Sequence, residues 1–440
     1  MSDSSARGRA ELHSTGRDAG HEWTARSIYS LAFLTLISSL NYLDRSILGL
    51  ALPLIKREMH LTDTVLGLVT GLPFAIFYTL LGVPIASLAD RSNRRNIIAA
   101  GFAFWSVMTA CTGLVANAWQ LAGTRLLMGV GEACGTPPSN SILSDLFTKA
   151  ERPLALALFG TAFSLSLVIY FPIVGWICEH SGWRAAFIAA GAPGIALALV
   201  FILTVREPQR GARDPQAASL QVTSMTATLR YLAGSRAYVF MALGTVFTGA
   251  IVYAMGAWNS SFLVRVHHLS IARIASIVGP IQGVLGGLGV VLGGVLTERL
   301  GRRDERWRIW VPAIAAALVA PALALFLLGQ SLLAWASGLA LTSLLVLIPQ
   351  GPIYAACMNV ALPRMRAVAI AFILLCAGLV GQVAGPLLVG ALNDMLSARY
   401  GAAAIRYSML TVVGWALGAA LAYLAAARHI SQDSQRAAGA

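Results

Sequence analysis

The chain reads as an all-α integral membrane protein, with twelve transmembrane helices in two pseudo-symmetric six-helix bundles. Three observations predict this. First, 57% of the 440 residues are hydrophobic and only 12% are charged, about half the charged fraction of a soluble chain. Second, apolar runs of about twenty residues recur almost end to end, each long enough to cross a ~30 Å hydrocarbon core as a helix. The ten-residue alternating segments of a membrane barrel do not occur. Third, Ala86-Ser-Leu-Ala-Asp-Arg-Ser-Asn-Arg-Arg95 closes the second run and Gly294-Val-Leu-Thr-Glu-Arg-Leu-Gly-Arg-Arg303 closes the eighth, matching as small-x-Leu-x-acid-Arg-x-x-Arg-Arg. Repeated halves of six helices are the architecture of secondary transporters, with the substrate site near the midplane between them.

The spans fall at 27–55, 64–89, 96–116, 119–144, 153–179, 184–205, 236–262, 272–298, 309–329, 332–356, 367–393 and 404–427. A polar tail, 1–26, precedes them. The first apolar run, from Ile28, is too long for the core of a cleavable signal. The longest interruption, 206–235, carries Pro208, Pro215 and several arginines, and is expected to link a first bundle (27–205) to a second (236–428), with 429–440 as a closing tail. Two further echoes support the repeat: Glu151-Arg152 before span five with Met365-Arg366 before span eleven, and Pro172 and Gly175 with Pro386 and Gly390 within those spans.

Basic residues set the expected orientation. Placing both termini in the cytoplasm puts twenty-three of the 32 lysines and arginines on that side. Seven lie opposite (Lys56, Arg57, Arg184, Arg265, Arg273, Arg399 and Arg406), and Arg45 and Arg125 remain within spans. That asymmetry alternates loop by loop, as the positive-inside rule requires. It also accounts for the formal charge of +13 without nucleic acid, since no single face or domain gathers the arginines. Cys111, Cys134, Cys178, Cys357 and Cys376 lie in or beside apolar runs with no CxxC pair, so they read as packing residues rather than metal ligands. The seven histidines sit in tails and loops, and neither a G-x-S-x-G nor an HExxH motif occurs. No P-loop is present. Neither an enzyme nor an ATP-driven pump is expected, and no cofactor or metal.

Arg125 and Glu132 stand out. Both lie inside the apolar, glycine-rich fourth span, seven residues apart, on one helix face about 10.5 Å from each other. That is too far for a direct ion pair and suits two walls of one cavity. A charge at mid-bilayer costs at least ~2.5–3.5 kcal/mol on insertion scales, which by default marks a pathway. A carboxylate held between burial and a nearby arginine can change protonation as a cavity opens and closes. Asp44 and Arg45 likewise interrupt span one. Pointing about 100° apart, one can line the cavity while the other meets a neighbouring helix.

The second half carries Asn259, Gln282, Gln350, Asn359 and Gln382 but no central acid or base. A cavity charged on one side, with amides and Tyr253, Trp258 and Tyr354 on the other, suits an amphiphile: its head on Arg125, its tail on the second bundle. Gly279, Gly283 and Gly287 form a GxxxGxxxG face read as close helix packing. Pro137-Pro138 and Pro172 are expected to kink their helices.

The loop Ala86–Arg95 resembles the signature of the major facilitator superfamily, with Ala86 and Asn93 where glycine is usual; the second copy has Glu298 as its acid. Within that superfamily, Asn41-Tyr-Leu-Asp-Arg45, Asp90-Arg-Ser-Asn-Arg-Arg95, Phe104-Trp-Ser106 and Gly129-Val-Gly-Glu-Ala133 resemble the spinster group, whose animal members export lysolipids and sphingosine-1-phosphate. The superfamily likeness runs from about 27 to 428, while the spinster likeness rests on the first half. The resemblance implies a monomeric secondary transporter working by alternating access in a bacterial inner membrane. It implies Glu132 and Asp44 as proton-coupling groups, and Asn41, Tyr42 and Arg45 beside Arg125 at the substrate. It further implies a cytoplasmic latch of Asp90, Arg91, Arg94 and Arg95, with Asp145 as arginine partner and Glu298, Arg299 and Arg302 as the second copy. The cargo expected is an anionic or zwitterionic lysolipid-like molecule; a proton-coupled multidrug exporter or an organic-acid symporter is the alternative.

Overall fold

The computed structural model describes residues 23–210 and 225–438, and among these every regular element is helical. The first half comprises α1 (Ala25–Met59), α2 (Asp63–Arg91), α3 (Arg94–Thr112), α4 (Ala118–Glu132), α5 (Thr136–Leu146), α6 (Arg152–Gly160), α7 (Ala162–Leu165), a π-helix (Ser166–Tyr170) and α8 (Phe171–Thr204). A short α9 (Met225–Ala233) leads into the second half: α10 (Arg236–His267), α11 (Ile271–Gly301), α12 (Trp307–Leu328), α13 (Leu332–Leu347), α14 (Gln350–Val360), α15 (Arg366–Tyr400) and α16 (Ala404–Ala438).

Local chemistry sets the boundaries. Thr24, Thr62, Asn93, Asn117, Ser235, Ser270 and Ser331 each accept a hydrogen bond from the third backbone N–H of the helix they cap. This satisfies a donor that hydrocarbon would leave unpaired. Proline breaks the spans that were expected to be continuous. Pro137 and Pro138 follow the turn that divides span four into α4 and α5. Pro172 follows the π-helix in span five, and Pro349 separates α13 from α14 in span ten. Each lacks the N–H that the helix interior needs. Spans five and six join inside α8 at Gly182, whose φ of 83° and ψ of 163° turn the chain.

Seven helical stretches among the described residues are long and apolar enough to cross a membrane, and Arg152–Thr204 and Pro363–Ala437 each hold two of the expected spans. Spans one, three and four fall outside that set. Their helices carry Asp44 and Arg45, or Arg94 and Arg95, or stop after 15 residues at Glu132. This is consistent with twelve.

The halves mirror each other in backbone as well as motif. His60 closes α1 and His268 closes α10, both left-handed (φ 53° and 54°), and each is followed by leucine and a hydroxyl N-cap. The halves meet along α1–α10, α2–α15 and α8–α11. An added Cβ on Gly49 would lie 2.1 Å from the Gly256 carbonyl oxygen, and one on Gly71 2.1 Å from that of Gln382. Only glycine permits this approach. The glycine face of α11 packs on the π-helix as expected of it, Gly279 and Gly283 against Leu167 and Val168, and Ser164 donates to the Gly283 carbonyl at 2.7 Å.

Candidate functional site between the halves

Three buried ionisable residues and a fourth that is half-buried converge inside the first half. α1 presents Asp44 and Arg45 on adjacent faces, while α4 presents Arg125 and Glu132 two turns apart. Asp44, Arg125 and Glu132 are at most 3% exposed. Arg45 keeps 23% of its side chain accessible and donates from Nε to Glu132 Oε2 at 2.7 Å. The other Glu132 oxygen, Oε1, is buried without a hydrogen-bond partner among the described residues. Asn41 lies beside the Glu132 carboxylate, and Thr109 on α3, whose hydroxyl donates to the Trp105 carbonyl at 3.0 Å, lies beside Asp44.

Arg125 departs from the wall of a cavity expected for it. α4 turns this face inward, so the guanidinium is 1% exposed. It donates to the Asp44 backbone carbonyl at 3.4 Å and to Met128 Sδ at 3.0 Å, and its Nε is unpartnered among the described residues. The arginine that reaches the seam is Arg45. Its Cζ lies 5.0 Å from the Phe74 ring centroid and 4.8 Å from that of Tyr78, with Tyr42 and, from the second half, Tyr253 in its field.

The residues expected from the second half divide. Tyr253 is half-buried, as are Gln282 on α11 and Tyr354 on α14, and exposed Gln350 lies one turn before Tyr354. Trp258 is not a cavity wall. Fully buried, it donates from Nε1 to the Pro386 carbonyl at 2.9 Å and packs on Gly390, tying α10 to α15. Asn359 sits one residue before the end of α14, toward the face that carries the linker, and so away from mid-depth. Asn259 is 3% exposed with neither amide atom partnered among the described residues.

At the linker face, Arg94 pairs with Asp145 at 2.5 Å and with Glu207 at 2.7 Å, and donates to Ser141 at 2.8 Å. Arg95 receives the other Glu207 oxygen on its backbone N–H. All of these belong to the first half and the start of the linker. The Arg94–Asp145 pair therefore binds that half to itself rather than latching one half to the other. Arg91 and Arg299 are exposed, and Arg302 pairs along its own helix with Glu298, at side-chain exposures of 77% and 68%. The side chain of Asp90 lies outside the described ones.

The polar clamp between the halves is at the opposite face. Asp63, at the start of α2, is fully buried. It takes both Arg265 nitrogens at 2.7 Å, Lys56 Nζ at 2.7 Å and the amide of Asn393. Asp394 returns the contact, accepting from the backbone N–H of Asp63 (3.0 Å) and of Thr64 (2.7 Å) and from the Thr64 hydroxyl (2.6 Å). Its carboxylate thus caps α2 from the other half, with the favourable helix dipole. In the sequence Lys56 and Arg265 stand among the seven basic residues of the side opposite the linker, with nothing to mark them as partners of Asp63. The available signal was that this face has few acids, and two of them open or close apolar spans.

Comparison with known proteins follows this geometry. The family model of the Major Facilitator Superfamily matches residues 34–386. An MFS-type efflux pump of Mycolicibacterium smegmatis is 30% identical over 407 residues, covering 92% of this chain and 94% of its own. The sphingosine-1-phosphate transporter SPNS2 of Danio rerio is 28% identical over 392 residues, covering 85% of this chain and 77% of its own. A crystal structure of a bacterial homolog to the human lysosomal transporter spinster, inward-facing and unoccupied, matches with a TM-score of 0.84 at 28% identity, over 93% of this chain and 98% of that one. Paired helical halves, ionisable side chains gathered between α1 and α4 within the apolar first half, and a family match that runs through both halves lead to one statement: the chain belongs to the Major Facilitator Superfamily, as a membrane transporter similar to the spinster group.

Proposed function

We propose that this transporter works by alternating access, coupled to protons through Glu132 and Asp44, and that it moves an amphiphilic anion or zwitterion of lysolipid type. The carrying observation is Glu132: buried, bound on one oxygen by Arg45 and, among the described residues, unpartnered on the other. A proton on the free oxygen loosens the ion pair and releases Arg45 toward the seam, where an anionic head group meets it. Loss of the proton restores the pair. Tyr42, Tyr78, Tyr253 and Tyr354 offer hydroxyls and ring faces around that position, which fits a molecule with a polar head and an apolar body.

In this reading both termini and the linker are cytoplasmic in a bacterial inner membrane, and the first bundle (27–205) rocks against the second (236–428) across the 206–235 linker. The clamp at the opposite face then closes the outer side, in keeping with the inward-facing relative. The efflux-pump relative supports a second reading, a proton-coupled multidrug exporter.

Flux into proteoliposomes separates the two. Lysophosphatidylcholine, a cationic dye and a carboxylate are each assayed with and without an imposed pH gradient. Gradient-dependent movement of the lysolipid alone supports the first reading, and of the dye the second. Flux of any of them that ignores the gradient removes proton coupling.

A further inference from the structure

Arg125 is a buried cation that forms no ion pair within 4.0 Å among the described residues, since Glu132 is engaged by Arg45. Something else must make a bare guanidinium tolerable there. The side chain that meets it is Phe74 on α2, fully buried, with the Arg125 Cζ 5.3 Å from its ring centroid. The same ring has Arg45 Cζ at 5.0 Å and stacks on Tyr78 at 5.4 Å with planes 16° apart. One benzene ring therefore serves two guanidiniums, which its distances keep no more than about 10 Å apart. The negative face of an aromatic ring attracts such cations most strongly when water is excluded. The approach is built in: an added Cβ on Gly129 would lie 2.8 Å from the Phe74 carbonyl oxygen, so α4 can bring Arg125 and Glu132 to this ring only with glycine there.

We infer that Phe74 is a positioning residue of the coupling site, holding both guanidiniums on its ring so that Arg45, and not Arg125, engages Glu132. The groups facing Glu132 are Asn41, Tyr42, Asp44 and Arg45 from α1, Arg125 from its own helix and Tyr253 from α10, while Tyr78 from α2 faces Arg45. Phe74 is the uncharged member that both cations share. Without its ring, Arg125 is held at its depth only through the Asp44 carbonyl at 3.4 Å and Met128 Sδ at 3.0 Å, and it shares the Glu132 face two turns away. Two cations then compete for one carboxylate, and Arg45 loses its defined seat. The functional arm of this inference rests on the proton-coupled reading above; the physical arm does not.

The test replaces Phe74 in the full-length chain with phenylalanine carrying one, two and three ring fluorines, which drains the ring's negative face while keeping its shape. Two readouts are taken: the thermal midpoint in detergent, and pH-gradient-driven flux of lysophosphatidylcholine. The midpoint is expected to fall stepwise, by roughly 2–5 °C in all, and the flux to fall about tenfold in step with it. In an Arg125→Met background the thermal steps shrink by about half, because one of the two cations is gone. Phe74→Trp, which keeps a stronger ring face, is expected to retain the wild-type flux within about threefold, and Phe74→Leu to lose it. A midpoint indifferent to fluorination, or steps unchanged by Arg125→Met, overturns the inference, since a ring that only fills space would behave that way. If the wild type moves no lysophosphatidylcholine, the proposed cargo fails while the thermal series still judges Phe74.

Discussion

Glu132 and Arg45 lie 87 positions apart in the chain and meet through a 2.7 Å hydrogen bond. Removing one partner leaves the other's charge in a poor solvent, and the two removals are not equivalent. Arg45 retains access to the seam, with 23% of its side chain exposed, so it can turn toward water when Glu132 is neutral. Glu132→Gln is therefore expected to fold and to lose gradient-driven flux by at least about a hundredfold, with a thermal midpoint within a few degrees of wild type. Flux and midpoint measured on one preparation check this, and a variant with wild-type flux would remove Glu132 from the mechanism. Arg125 invites the opposite experiment. A buried cation without a carboxylate partner has a large desolvation cost, and an apolar residue of similar length avoids it. Arg125→Met is expected to leave stability unchanged or raised by about 1 kcal/mol while flux falls. A loss of several kcal/mol in a denaturation series would show Arg125 to be a structural strut.

Among the elements, the long spans and the two halves were readable because hydrocarbon demands a continuous apolar helix and penalises charge within it. For the same reason Arg45, Asp44, Arg125 and Glu132 stood out. Their pairing did not. Whether Glu132 meets Arg125 along its own helix or Arg45 from α1 depends on how α1 is rotated and seated against α4, which seven-residue spacing cannot encode. Trp258 misled for a similar reason: an aromatic in an amphipathic stretch looks like a cavity wall until the register of α10 on α15 buries it. The Asp63 clamp was invisible because a helix end is where charge costs least, so position alone does not mark it. The glycine face of α11, by contrast, was read correctly as packing, and it is testable as such. A Cβ on Gly283 would come within 2.9 Å of Val168 Cγ2 and 3.1 Å of the Leu167 Cβ. Gly283→Val is expected to prise α11 off the π-helix and raise labelling of cysteines placed at the opposite face by severalfold. Labelling unchanged from wild type would mean that the π-helix absorbs the bulk.

For the molecule as a whole, the charged contacts that join the halves among the described residues gather at the face opposite the linker, whereas the strong pairs of Arg94 stay within one half. An alternating-access cycle has to break the first set and can carry the second along intact. The Asp63 cluster is the stronger restraint because its shared carboxylate is out of water, although Arg265 and Lys56 keep 17% and 34% of their side chains exposed. Its carboxylate is fully buried between Arg265 and Lys56, so added salt screens it little, while the exposed Glu298–Arg302 pair contributes ~0–1 kcal/mol at most. Asp63→Asn keeps the side chain's shape but leaves two cations without their counter-charge, at a cost of about 3–5 kcal/mol to the clamped state. The unclamped state, in which water reaches the same residues, bears much less of that cost. A shift of that size moves the equilibrium by two orders of magnitude or more. Distances between spin labels on α1 and α10 at the opposite face should therefore lengthen and become the dominant population in Asp63→Asn, and remain as in wild type in Glu298→Gln. If Asp63→Asn keeps the wild-type distance distribution, the closing force resides in the glycine contacts of α1–α10 and α2–α15, and the charged cluster only caps the helices it sits on.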